Sequence, residues 1–299
     1  MSLRSGCPLV VKVFRRLRGG SQAVLAAAND GQLYVVKFPN NLQGPGILFN
    51  EALGSELYRA FALPVPEWKP VSITDSFIDQ NPDFWIETPT GRLRPSAGLC
   101  FGSRYLGRAG VRLLEILPRN YLNGVRNLRD FWLAWLIDIC AEHADPRQVI
   151  FREESEGRFT AFFIDHGHMF GGPKNDQLCH FMASRYWDCR VYRPPSSDFL
   201  LELPMMELQR AMGSLHAESL WREIKALPDE WINFQALREF AKCLDRLSKP
   251  ELLRDIHELI VDSARCMSAG NVLQLEPKRF AAKPMPGIHG RGLAPEIAG

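Results

Sequence analysis

At 299 residues, 46% of them hydrophobic and 23% charged, the chain has the make-up of a globular protein with a sizeable core, either one large domain or two ordinary lobes. A net charge of +2 gives no electrostatic reason to expect a nucleic-acid partner, and no apolar run approaches a membrane span. Seven scattered cysteines without a CxxC pair point to reduced thiols in a cytoplasm, and the first residues lack the apolar core of a signal peptide.

The N-terminal hundred residues read as strands around one helix. Val10–Phe14 is a β-prone run, broken by the turn residues Arg18-Gly19-Gly20-Ser21-Gln22. Ala23–Ala27 resumes it, Asn29-Asp30-Gly31 signals a hairpin, and Leu33–Phe38 is the returning strand. A polar loop over 40–46 leads into helical periodicity from Ile47 to Ala62, marked by Leu48, Leu53, Leu57 and Phe61. Leu63-Pro64-Val65-Pro66 ends that helix, because a proline disfavours helical geometry in the residue before it. Trp68–Ile73 is another strand, and 75–96, rich in Pro, Asp and Thr, reads as an irregular insertion. Leu99–Leu106 runs apolar, then small, then apolar, and a lobe boundary is expected just after it.

Beyond Val111 the chain reads as mostly helical. Leu128–Ala141, with Trp132 and Trp135, has the character of a buried helix. Val149–Phe151 and Phe159–Ile164 are short strands around a turn at Glu153–Gly157. Helices are expected over 203–215, 219–226, 231–247 and 249–269, followed by a loosely ordered tail rich in proline and glycine. The expectation is an α+β protein: an N-terminal lobe of residues 1–105, a helical lobe of 106–270 and a tail of 271–299.

Two of these strands end in a charge. Lys37 closes Tyr34-Val35-Val36-Lys37, and Asp165 closes Phe162-Phe163-Ile164-Asp165, with Gly167 freeing the chain after it. Phosphoryl transfer from a nucleotide needs such a pair: a cation for the phosphates and a carboxylate for the metal. A lone strand-end lysine is more often just solvated, but Glu51 opens the next helix and is placed to orient it. A first-turn glutamate also suits the helix dipole, so Glu51 alone decides nothing. The Gly19-Gly20-Ser21 turn offers backbone N–H groups to phosphate, or is an ordinary tight turn. In the polar loop Glu142–Gln148, Asp145 is a candidate to accept a proton from a substrate hydroxyl, and Gln148 to offer its amide oxygen to magnesium. Asp145-Pro146 also reads as a plain helix-to-strand turn. A competing reading gathers His166, His168, Cys179 and His180 into a zinc site, although their spacing matches no strong zinc pattern.

The segments Gly20-Ser21-Gln22, Tyr34–Phe38, Asn50-Glu51, Leu63–Pro66, Phe101-Gly102-Ser103 and Ile164–Gly167, in this order, resemble the HipA-like kinases. These are bacterial relatives of the serine/threonine kinase HipA and, more distantly, of the phosphatidylinositol kinases. The resemblance covers about residues 10 to 260 and implies a two-lobed protein-kinase-like fold with ATP and Mg2+ in the cleft. It makes Lys37 the phosphate lysine, Glu51 its helix partner and Asp165 the metal aspartate. It also places Gly20, Ser21 and Gln22 at the nucleotide, Phe101, Ser103 and Tyr105 in the hinge behind the adenine, and Asp145 and Gln148 in the catalytic loop. The acceptor would be a hydroxyl, with protein serine or threonine favoured. Kinase catalytic loops separate their Asp and metal-binding Asn by five residues, whereas Asp145 and Gln148 are three apart and the residue five before Gln148 is His143. An ATP-binding pseudokinase is therefore the alternative.

Overall fold

Three short antiparallel strands open the chain: β1 (Val10–Arg16), β2 (Val24–Ala28) and β3 (Leu33–Lys37). The computed structural model describes residues 6–81, 84–145, 147–174 and 205–249, with Arg254 and Glu258. The expected helix over 249–269, apart from its first residue and these two, and the tail lie outside the described residues, as do Cys179 and His180. The turn between β2 and β3 works because Gly31 takes φ +76° and the Asp30 carboxylate accepts from Gln32 N–H (3.1 Å) and Tyr34 Oη–H (2.6 Å). Strands β4 (Trp68–Ile73) and β7 (Gly98–Arg104) complete an antiparallel sheet ordered β1-β2-β3-β7-β4. Lys37 pairs with Phe101 in that sheet.

Alternation along β3 sorts its residues between two cores. Tyr34 and Val36 face the outer one, which also holds Val24, Val71, Ile73 and Cys100. Helix α1 (Ile47–Ala60) covers the other face, and every residue from Ile47 to Tyr58 is buried. It is wrapped because the sheet lies on one side and the C-terminal elements on the other. Those elements are α3 (Asp130–Cys140), a small sheet ordered β10-β9-β8, and the helices α4 (Met205–Gly213), α5 (Ala217–Lys225) and α6 (Phe234–Leu247). The small sheet comprises β8 (Leu113–Leu114), β9 (Gln148–Ser155) and β10 (Arg158–Ile164).

Three expectations need correction. The segment 75–96 is not irregular: it forms helix α2 (Asp75–Asp79) and a hairpin of β5 (Ile86–Thr88) and β6 (Gly91–Leu93). Ile78 and Ile86 are buried in the outer core, and Phe84 meets Phe38 edge-on at 5.2 Å, so this insertion roofs the sheet. The stretch after Val111 begins not with a helix but with β8 and a 3-10 turn over Arg119–Gly124. Finally, the helix expected from Trp231 starts at Phe234, because the Asn233 side chain caps it by accepting from Gln235 and Ala236 N–H. Trp231 instead donates its indole N–H to Leu99 O at 3.2 Å, tying the helical region to β7.

Candidate active site

Lys37 is 8% exposed at the end of β3, on the face that meets α1. Its ammonium is held between two carboxylates, Glu51 of α1 and Asp165 just after β10, the latter at 2.7 Å. Glu51 also accepts backbone N–H groups from Gly167 (2.9 Å) and His166 (3.2 Å). The second oxygen of Asp165 accepts from the Gln148 amide at 2.6 Å. The structure therefore brings Lys37, Glu51, Asp165 and Gln148 into one connected network. Asp145 sits half-buried in the loop that leads into β9, whose first residue is Gln148.

The segment carrying Asp165 is tightly set. Asp165 adopts φ +61°, a left-handed conformation that short polar side chains tolerate better than most. Gly167 does not free the chain, as the sequence suggested. It is small because α1 presses on it: a Cβ there would overlap Ile47 and come within 2.8 Å of Glu51 Oε1. Gly54 plays the matching part on the helix, since a Cβ there would overlap His166. Asn50 locks the contact by donating to Gly167 O (3.1 Å) and Met169 O (2.9 Å).

Beneath the site lies a group that sequence reasoning missed. Arg147, from the polar loop, is 1% exposed and forms a two-pronged pair with Asp138 of α3. It also donates to Ile164 O and meets His166 Nδ1, both at 2.9 Å, and so grips the chain on either side of Asp165. Tyr58 Oη donates to Asp138 at 2.7 Å and its ring lies 4.6 Å from that of His166. The one readable signal was Asp138 itself, a charge set among apolar residues well past the first turn of its helix. A buried carboxylate requires a partner.

The proposed nucleotide residues divide by environment. Gly20 packs on the Gln43 amide, where a Cβ would stand 3.2 Å from Nε2, and Ser21 O accepts from Asn41 at 2.9 Å. The Gln22 side chain reaches away to Glu87 of β5. Phe101 is stacked on Trp68 within the core, on a strand paired with β3 on one side and β4 on the other. Ser103 is half-buried on the same strand, and Tyr105 N–H donates to Leu33 O at 2.8 Å. His166 faces Arg147, whereas His168 meets Gln43 at 2.9 Å, and no cluster of three potential metal ligands occurs among the described residues.

Electrostatics follow from burial and from these partners. Burial opposes the charge on Lys37, but Asp165 and Glu51 outweigh it and push the ammonium above its ordinary range. Burial would likewise raise Asp165, but the Lys37 charge holds it well below the usual carboxylate range. At Glu51 burial wins and the carboxyl is raised. Burial, reinforced by the Arg147 charge, pushes His143 down to about 3 and His166 well below its ordinary value. A histidine kept neutral in the folded state lends stability above its unfolded pKa, about 6.5, and that stability is lost as pH falls below it. Stability should therefore decline between about pH 6.5 and 4, by up to ~1.4 kcal/mol per pH unit for each histidine. Urea unfolding at pH 7 and pH 5 measures this, and His143→Gln should flatten the slope; identical slopes would mean that His143 is not held neutral.

A strand-end lysine held by a helix glutamate and an aspartate at the end of a second strand combines residue types that protein kinases use at their phosphate and metal sites. Residues 10–116 match the HipA-like kinase family. The matched span holds the glycine turn, Lys37, Glu51 and β7, and ends before the loop and Asp165. No curated protein matches in sequence. Among solved structures the chain is similar to the Helicobacter pylori proinflammatory kinase CtkA, with a TM-score of 0.50 and 14% identity over 84% of this chain and 96% of that one. It is also similar to the Golgi casein kinase with Mn and ADP bound, with a TM-score of 0.45 and 13% identity over 88% of this chain and 74% of that one. The fold is protein-kinase-like, strand-rich at the N-terminus and helical later.

Proposed function

We propose that the protein is an ATP-dependent kinase that transfers the γ-phosphoryl group to a hydroxyl, with protein serine or threonine the favoured acceptor. The observation that carries this reading is Lys37 buried between Glu51 and Asp165. The clamp fixes an ammonium where phosphate oxygens would lie and a carboxylate where a metal would. Asp165 supplies a hard carboxylate donor that suits Mg2+ completed by phosphates and water, and the Gln148 amide, which here donates its N–H to Asp165, would turn its oxygen toward the metal. Magnesium held there would neutralise charge on the phosphates. Gly20 and Ser21 would supply backbone N–H groups to them, and the backbone around Phe101, Ser103 and Tyr105 would receive the adenine. Asp145 would take the acceptor's proton as its oxygen attacks the γ-phosphorus and the bond to ADP breaks. Residues 1–105 and 106–270 would form the two lobes. Free thiols at Cys7, Cys100, Cys140 and Cys243 fit a reducing bacterial cytoplasm, and no helix among the described residues is long and apolar enough to cross a membrane.

A second reading is an ATP-binding module without transfer. It is favoured by His143, five residues before Gln148, which is buried and whose Nε2 has no partner among the described residues, rather than being presented as a base.

Thermal unfolding with and without Mg-ATP separates these readings. Wild type should show a magnesium-dependent rise, equivalent to about 2.7 kcal/mol at a hundred times Kd, and Asp165→Ala should lose it. No rise at millimolar ATP would overturn both readings. A rise without ADP release on any hydroxyl acceptor would leave the second.

A further inference from the structure

We propose that Gln22 is a positioning residue for nucleotide phosphates, and that the β5–β6 hairpin sets the glycine turn through it. This inference rests on the kinase reading and assigns a task to the segment 75–96. Gln22 Nε2 donates to Glu87 O at 2.7 Å, while its Oε1 accepts from Glu87 N–H at 2.8 Å. A side-chain amide thus completes both backbone bonds of a residue 65 positions away, as a neighbouring strand would. Gln22 makes this reach from φ +46°, with its own N–H donating to Gly19 O at 3.2 Å. A non-glycine residue in that conformation persists only where its surroundings over-determine it.

Further groups brace the same turn. Arg16 pairs with Glu87 at 3.1 Å and lies over the Trp85 ring, whose other cation is Arg92 at 3.6 Å. Asn40 bonds Arg94 O and Ser96 N–H, while Asn41 holds Ser21 O. The loop 39–46 and the roof over the sheet therefore grip the turn together. What they leave is specific: among the described residues, the N–H groups of Gly20 and Ser21 have no partner. Successive N–H groups in a turn conformation can converge on an anion. With its amide spent on Glu87, Gln22 neither fills that space nor lets the turn rotate.

The test compares Mg-ATP and adenosine binding by calorimetry for wild type, Gln22→Ala and Gln22→Gly. Both variants should bind Mg-ATP about tenfold more weakly, as expected when preorganised donors become mobile, with adenosine binding and the ligand-free melting temperature unchanged. Gln22→Gly relieves the backbone strain, so wild-type affinity in that variant would show that the bridge to Glu87 is irrelevant and overturn the inference. Equal weakening for adenosine and Mg-ATP would overturn it as well, because the defect would not concern phosphates. If wild type itself binds no Mg-ATP, it is the kinase reading that fails.

Discussion

Arg147→Met should cost about 3–5 kcal/mol of stability, the range for breaking a buried ion pair from one side. Methionine is long enough to fill much of the space, so the loss is electrostatic rather than a cavity effect. Asp138 would be left 1% exposed with its charge uncompensated, and Ile164 O and His166 Nδ1 would each lose a partner. A domain of ordinary stability holds only about 5–15 kcal/mol, so this one side chain decides a large share. The readout is a lower urea midpoint at unchanged slope. Replacing both partners, Arg147→Met with Asp138→Leu, should recover much of the loss, because no charge remains stranded. A single-variant loss below about 1 kcal/mol, or strict additivity in the double variant, would show that the pair does not anchor Asp165.

This anchor also shows where the sequence was legible and where it was not. The hairpin at Asn29-Asp30-Gly31, the lysine strand and the helix carrying Glu51 were readable because each rests on local chemistry: turn residues, alternation and helical spacing. The lysine–glutamate–aspartate clamp was readable as an order of charges, although it joins residues 128 positions apart. Arg147 was not, since a basic residue in a polar loop looks solvated until the fold draws it under α3. Gly167 and Gly54 were equally opaque, because their need is a close approach between α1 and the strand end rather than a turn. The segment 75–96 hid its order for another reason. Phe77, Ile78, Phe84 and Ile86 are too sparse among polar residues to show a period, and they matter only as a roof over the sheet. Gln22 stood within a motif that suggested a ligand contact, yet its amide is spent on Glu87.

Lys37→Met should show what the clamp is worth. Removing the ammonium leaves Glu51 and Asp165 buried beside one another, at a cost of about 3–5 kcal/mol at pH 7. The pH dependence carries the sign. In wild type, Asp165 sits below its unfolded value, so its contribution is present above about pH 3.9 and is lost only as pH falls further. Glu51 is already raised by burial in wild type; without the Lys37 charge both carboxyls would rise further, so the folded variant would take up more protons than folded wild type as pH falls. Its stability should then improve relative to wild type as pH falls from 7 to 5. His143 and His166 push the other way, but they do so in both proteins and largely cancel in the difference. The gap between the two unfolding free energies should therefore narrow on acidification, and the variant should lose the magnesium-dependent rise with ATP. A gap of less than about 1 kcal/mol, or one that stays constant from pH 7 to 5, would mean that Lys37 does not hold both carboxylates, and the clamp would no longer support a phosphate site.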